Sequence, residues 1–168
     1  MRVVESEKDL DSAVEGAKRE AANSFGDDTV FLEKWLDVSR HVEIQILGDT
    51  HGNLVHCFER ECSIQRRNQK IVEECPSPVI TEDERKKICN LTLEAMKKIK
   101  YFNLGTVEYL YKEGNFYFIE MNTRLQVEHT ITEQVYNIDI VKEQINASSG
   151  NKILIKQSEI KKNGHSIE

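Results

Sequence analysis

The sequence predicts an α+β fold built around an antiparallel sheet, and three observations predict it. Residues 104–111 and 116–121 are rich in β-branched and aromatic side chains and flank Lys112-Glu113-Gly114-Asn115, whose Gly and Asn suit a hairpin turn. Residues 41–47 alternate Val42, Ile44 and Ile46 against His41, Glu43 and Gln45, the period of a strand with two unlike faces. The elements follow one another as strand pairs set between helices. That order belongs to an antiparallel sheet with helices packed on it, not to a regular βαβ alternation.

Composition narrows the class. At 168 residues the chain has the length of one ordinary domain, and 31% charged with 39% hydrophobic residues suits a soluble globular protein. A net charge of −6 argues against a general nucleic-acid coat while leaving room for local basic sites. No apolar run approaches the ~20 residues that span a bilayer. Met1-Arg2-Val3-Val4-Glu5 lacks the pattern of a signal peptide. Cys57, Cys62, Cys75 and Cys89 form no Cys-x-x-Cys pair and no His spacing completes a zinc site, so reduced thiols in a cytoplasmic protein are expected.

In order, the chain is expected to open with a short strand, Arg2 to Val4. A helix follows from about Glu7 to Ser24, capped by Ser6 with Asp9 at the capping-box position. Thr29 to Leu36 reads as a strand with a charged middle. The strand at 41–47 turns through Gly48 to Asn53 and returns over Leu54 to Phe58. Glu59 to Lys70 reads as a polar loop holding Arg60, Arg66, Arg67 and Lys70. It is either a solvated charged loop or a cationic site for phosphate or carboxylate. Ile71 to Glu74 is a short strand, broken by Cys75-Pro76-Ser77-Pro78. Thr81 caps a long helix, with Glu84 completing a capping box and Ile88, Leu91, Ala95 and Ile99 facing the core. After the hairpin, Arg124 to His129 leaves the sheet as a loop. One last helix runs from about Thr132 to Ser148 with the stripe Val135, Ile138, Val141 and Ile145. The tail ends in an alternation, His165-Ser166-Ile167-Glu168, that reads as the start of a strand.

The hairpin carries the first hint of chemistry. A three-residue loop, Glu113 to Asn115, pairs Lys112 with Phe116 and sets Glu108 opposite Glu120. Directly opposed carboxylates repel, which makes sense if a cation sits between them. Alternation adds Asn122 and Arg124 to the Glu120 face. Two carboxylates and an amide are hard oxygen ligands of the kind Mg²⁺ takes. The competing account is a hairpin with charges on its wet face.

Three long stretches then carry a resemblance: Arg40 to Gln45 (RHVEIQ), Glu59 to Lys70 (ERECSIQRRNQK) and Phe118 to His129 (FIEMNTRLQVEH). In this order they resemble biotin carboxylase, an ATP-grasp enzyme, and the biotin carboxylase domains of acetyl-CoA, propionyl-CoA and pyruvate carboxylases. The resemblance runs over the whole chain. It implies the end of an ATP-grasp lid subdomain over 1–35 and an incomplete C-terminal subdomain over 36–168. In the family, Met1 to Val4 falls just after a glycine-rich lid loop. The implied piece is therefore central, with the N-terminal domain and a later bicarbonate-contacting arginine outside it. Little activity is expected from such a piece alone.

Residue by residue, the resemblance implies an ATP site in which Glu33, Lys34, Trp35 and Leu36 hold adenine and His41 lies near the ribose. Gln65 and Asn68 also lie at ATP positions, although many bacterial members carry His where Asn68 stands. Glu108, Glu120 and Asn122 would hold two Mg²⁺ or Mn²⁺ ions at the phosphates. Lys70, Arg124, Gln126 and Val127 would bind bicarbonate. Glu128 would act as the general base, with a pKa tuned by neighbouring acids. Thr130 stands where Pro is common. Catalysis, carried by Lys70, Arg124 and Glu128, would form carboxyphosphate and then carboxylate biotin, with Arg124 stabilising the biotin enolate. The implied partners are a biotin carboxyl carrier protein or domain, a carboxyltransferase and a second copy in a homodimer. No nucleic acid and no membrane are implied. The alternatives are an inert structural module of a larger carboxylase, or another ATP-grasp ligase such as carbamoyl-phosphate synthetase.

Overall fold

The structure, a computed structural model, describes residues 2–168, and Met1 lies outside them. The chain separates into two compact units, Met1–Asp37 and Val38–Glu168. The first is built on one helix, α1 (Glu7–Phe25). Ser6 stands at its N-cap, but the expected capping box is not formed: the Ser6 hydroxyl donates to Asp9 Oδ2 at 2.8 Å and its side chain caps no helix N–H, while Gly26 at φ 72° ends the helix. The arginine of Arg2 lies over Gly16, where an added Cβ would come within 2.9 Å of Arg2 Cζ. The strands expected at 2–4 and 29–36 are not formed. A strand needs a neighbour for its backbone N–H and C=O groups, and no strand among the described residues pairs with either segment.

The second unit holds a six-stranded antiparallel sheet in the order β5-β4-β1-β2-β3-β6. Its strands are β1 (Arg40–Gly48), β2 (Leu54–Arg66), β3 (Gln69–Cys75), β4 (Asn103–Lys112), β5 (Asn115–Asn122) and β6 (Ser166–Ile167). The strand anticipated at the C-terminus is therefore formed, as β6 against β3. Helix α2 (Glu82–Lys98) covers one face. Ile88, Cys89, Leu93 and Met96 pack there on Ile44, Ile46 and Val107. Helices α3 (His129–Tyr136) and α4 (Ile140–Ser148) belong to a second apolar cluster, with Leu47, Val55, Leu104, Ile131, Val135 and Ile140. Even-numbered residues of β1 thus meet α2. Its odd-numbered residues, His41, Glu43 and Gln45, run along the other face into Leu47.

Several expectations are corrected. Residues 59–66 are not a loop but the second half of β2, and Arg60 within it is fully buried. The polar spacing hid a central strand because both of its faces are covered. The buried stripe of α2 is Arg85, Ile88, Cys89, Thr92, Leu93 and Met96, while Leu91 and Ile99 are exposed and so is Ala95. The interior accepts Thr92 because its hydroxyl is bonded to Ile88 O and Tyr109 Oη, both at 2.8 Å. The last helix is two. Asn137 enters the left-handed region at φ 52°, and Asp139 caps α4 by accepting from Lys142 N–H at 2.8 Å. Val141 and Ile145 consequently face outward, and Ile140 and Ala147 fill the core. The capping box of Thr81 and Glu84 is formed as anticipated.

Two β-bulges set the register of the site. Across β1 and β2, Ile46 pairs with His56 but Ile44 with Glu59, so β2 carries one extra residue there. Phe58 at that step sits at φ 59°. Without the bulge Glu43 would face Glu59, and Arg60 would point to the α2 side. With it, Glu43 faces Arg60. In the hairpin the loop is two residues, Glu113 and Gly114, at φ 50° and 78°, and Lys112 pairs with Asn115. A bulge between Tyr109 and Glu108 then adds one residue to β5, and Glu108 faces Glu120 after all. The expected pairing is reached through a different loop.

Candidate active site

Lys70 on β3 is the hub of the polar face. Its Nζ lies 2.5 Å from Glu43 Oε2, 2.9 Å from Glu108 Oε1 and 2.7 Å from Glu128 Oε1, which uses all three N–H donors of an ammonium. β1, β4 and the turn before α3 supply the three carboxylates. Burial by itself would lower the lysine pKa, but the charge of Glu43 and the bonds to Glu128 and Glu43 hold it above the ordinary value. Glu108 Oε1 also accepts from Asn122 Nδ2 and Gln126 Nε2, each at 2.8 Å, and its Oε2 lies 2.7 Å from His41 Nε2. Desolvation works against ionisation of Glu108, yet His41 and Lys70 together bring its pKa down to about 2. Gln65 Nε2 lies 3.0 Å from His41 Nδ1. The arrangement is consistent when the ring carries its proton on Nε2, facing Glu108.

Glu128 is buried at the N-terminal end of α3, and its pKa is lowered: desolvation is the largest single influence and would raise it, but the bond to Lys70, a backbone bond and the charges of Lys70 and Arg60 together outweigh it. The expectation that neighbouring acids tune this residue upward is corrected. In this arrangement Glu128 is a stable carboxylate, able to accept a proton only from a partner that displaces or shares Lys70.

The anticipated metal ligands converge. Asn122 Nδ2 stands 2.8 Å from Glu108 Oε1 and 3.5 Å from Glu120 Oε1, so one amide lies between two opposed carboxylates. Glu120 is exposed to solvent. An amide presents either its N–H or its oxygen to a neighbour. Two carboxylates with that amide therefore fit a Mg²⁺ or Mn²⁺ ion that completes its shell with phosphate and water. These residues would hold the ion, and when bound it would offset phosphate charge.

Other anticipated residues lie apart from this network. Arg124 and Val127 are exposed on the loop after β5, with Arg124 Nη1 bonded to Leu125 O at 3.2 Å. Asn68 occupies the β2–β3 turn at φ 64° and is exposed, as are Arg66 and Arg67. The cationic-loop idea therefore keeps Lys70 but loses Arg60, whose guanidinium faces inward. Glu33, Lys34, Trp35 and Leu36 belong to the first unit, in a segment without regular secondary structure that is exposed or half-exposed. Sequence reasoning missed Glu43, which is wholly buried and bonded to both Lys70 and Arg60. The available signal was three polar residues at period two, His41, Glu43 and Gln45, in a strand whose opposite face is uniformly apolar.

Residues 1–156 match the family model described as "Carbamoyl-phosphate synthase L chain, ATP binding domain". The chain belongs to this ATP-grasp family. Within it, the resemblance to biotin carboxylases is borne out. The chain is 51% identical over 168 residues to the biotin carboxylase of Haemophilus influenzae, covering 100% of this chain and 38% of that protein. The biotin carboxylase–β-γ-ATP complex from Campylobacter jejuni superposes with a TM-score of 0.95 at 48% identity, over 99% of this chain and 37% of that one. The biotin carboxylase domain dimer of the Hydrogenobacter thermophilus 2-oxoglutarate carboxylase, solved with MgADP, ADP and bicarbonate, gives 0.95 at 46% identity, over 99% and 37%. The chain thus spans little more than a third of the length of such relatives. Among the described residues, no helix is long and apolar enough to cross a membrane.

Proposed function

We propose that this chain forms the metal, phosphate and bicarbonate part of a biotin carboxylase, which uses ATP and bicarbonate to carboxylate biotin on a carrier protein. The observation that supports this best is the sharing of one ammonium, Lys70, by a metal-type carboxylate, Glu108, and a base-type carboxylate, Glu128. Phosphate chemistry and proton removal then meet at one cation. In this reading Arg124, Gln126 and the backbone at Val127 hold bicarbonate, and Lys70 joins them by exchanging one of its carboxylate partners for the anion. Glu128 takes its proton, and the oxygen so freed attacks the γ-phosphate of ATP. The carboxyphosphate formed releases CO₂ and phosphate, the phosphate removes the ureido proton of biotin, and biotin captures the CO₂. Arg124, exposed and forked, stabilises the biotin enolate. Glu108, Glu120 and Asn122 hold the metal. His41, Gln65 and Asn68 belong to the ATP site, and residues 33–36 to its adenine end. A lid remnant over 1–35, a carboxyltransferase partner and a homodimer belong to the same proposal. So does a cytoplasmic setting, which would keep the four buried thiols reduced.

The test is ADP release by the intact enzyme. We expect release to require bicarbonate and to rise with free biotin. Glu128→Gln should lower the bicarbonate-dependent rate by about 10²–10⁴-fold, the usual range for a general base. Release driven by ammonia, with carbamoyl phosphate as product, would sink the reading.

A further inference from the structure

Arg60 is fully buried in the middle of β2. A guanidinium has five N–H donors, and each one here meets a different side chain. Nε donates to Glu43 Oε1 at 2.6 Å. Nη1 donates to Gln45 Oε1 at 2.7 Å and Thr132 Oγ1 at 3.0 Å. Nη2 donates to Gln126 Oε1 at 3.1 Å and Thr106 Oγ1 at 3.4 Å. No donor remains for a ligand. Two of these partners reach the site directly. Glu43 holds Lys70 with its other oxygen, and Gln126 passes its amide N–H to Glu108. The partners come from β1, β4, α3 and the loop between β5 and α3, so one planar group ties the elements that carry the site. It reaches that place only through the bulge at Phe58.

We propose that Arg60 is the positioning residue of the bicarbonate site: it never touches the anion, but it fixes Gln126 and, through Glu43, the ammonium of Lys70. This rests on the biotin carboxylase reading. Neither Asn122 nor Glu120 touches Arg60, and ATP and metal binding depend on it less. Lysine cannot replace it, because three donors on a flexible stem cannot meet five acceptors in a plane.

The test is steady-state kinetics on the intact enzyme with Arg60→Lys, and with Thr132→Val as a milder change that leaves the arginine in place. Arg60→Lys should raise KM for bicarbonate by about tenfold or more, the scale for loss of a residue that orients direct ligands, with KM for ATP changed much less. Thr132→Val should shift the same constant in the same direction, by less. A fall in kcat with both KM values unchanged, or equal shifts in both, would make Arg60 a fold residue only and overturn the proposal while leaving the carboxylase reading intact. If Arg60→Lys does not fold, Thr132→Val decides alone: an unchanged KM for bicarbonate overturns the proposal. An unsubstituted enzyme without bicarbonate-dependent ATP cleavage would instead remove the reading, and the proposal with it.

Discussion

His56 is the side chain whose surroundings make the sharpest demand on pH. It is nearly buried, stands edge-on to Phe58 with ring centres 4.6 Å apart, and accepts from Phe58 N–H through Nδ1 at 3.3 Å. Burial lowers its pKa from 6.5 to about 4. The sign follows from which state binds the proton. Between pH 6.5 and 4 the unfolded chain takes one up and the folded chain does not, so stability falls as pH falls through this window. The loss from pH 7 to pH 5 comes to about 2 kcal/mol. Urea denaturation of wild type and His56→Asn at both pH values should show the wild type losing that much more than the variant, and equal losses would refute it. Glu108 acts lower. Its folded pKa of about 2 lies below the ordinary 4.5, so its contribution is complete above 4.5 and is lost as pH falls toward 2. The two groups therefore separate into different acid windows. At this scale the sequence was legible where a residue lies in a long motif, as Lys70 and Glu128 do. It was not legible for Glu43 and Arg60. Their polarity matches a wet face, and only strand pairing shows that the face is covered.

Among the elements, the β4–β5 hairpin decides where the metal-type carboxylates meet, and its loop is imperfectly chosen. Glu113 holds a left-handed backbone at φ 50° beside Gly114 at φ 78°. A residue with a Cβ pays roughly 1–2 kcal/mol there, and Asn is the residue that tolerates it best before Gly. Glu113→Asn should therefore stabilise the protein by about 0.5–1 kcal/mol, read as a higher urea midpoint at unchanged slope. Gly114→Ala should destabilise by about 1 kcal/mol, and a neutral result in both would show that the turn relaxes freely. Thr81 offers a second check. Its Oγ1 accepts from Glu84 N–H at 3.3 Å while Glu84 Oε2 accepts from Thr81 N–H at 2.8 Å, so Thr81→Ala should cost about 1 kcal/mol. Local signals were readable in part: the Thr81–Glu84 capping box is formed and Gly114 marks the turn, but the box expected at Ser6 is not formed and the hairpin loop is one residue shorter than expected. Bulges are not local. Each depends on a partner strand, which is why Glu108 was placed opposite Glu120 through the wrong loop length and why Arg60 was given to a loop.

Across the whole molecule, stability is concentrated on one side of residue 38. Among the described residues, every buried apolar side chain, from Val42 to Ile160, belongs to Val38–Glu168, and the only buried residue of α1 is a glycine, Gly16. Phe25, Phe31, Leu32 and Trp35 in the first unit are all exposed. The amphipathic spacing of 10–21 announced a helix but not what it packs on, and a strand at 29–36 was expected where, among the described residues, no strand pairs with it. An isolated helix of this length is marginal in water, because nucleation is costly and most helix stability in proteins comes from packing. Residues 38–168, by contrast, have a sheet with helices packed on it and two apolar clusters of their own. The two units should therefore exchange backbone amide hydrogen at very different rates in the isolated chain. The amides of α1 should exchange within a small factor of an unfolded peptide. Those of β1, β2 and β4 should exchange only through global unfolding. A protein cut to residues 38–168 should keep a single cooperative transition with a midpoint within a few degrees of the whole chain. Protection of α1 matching that of β1, or collapse of the shortened protein to a non-cooperative state, would mean that the helix contributes to the core on which the Lys70 network rests.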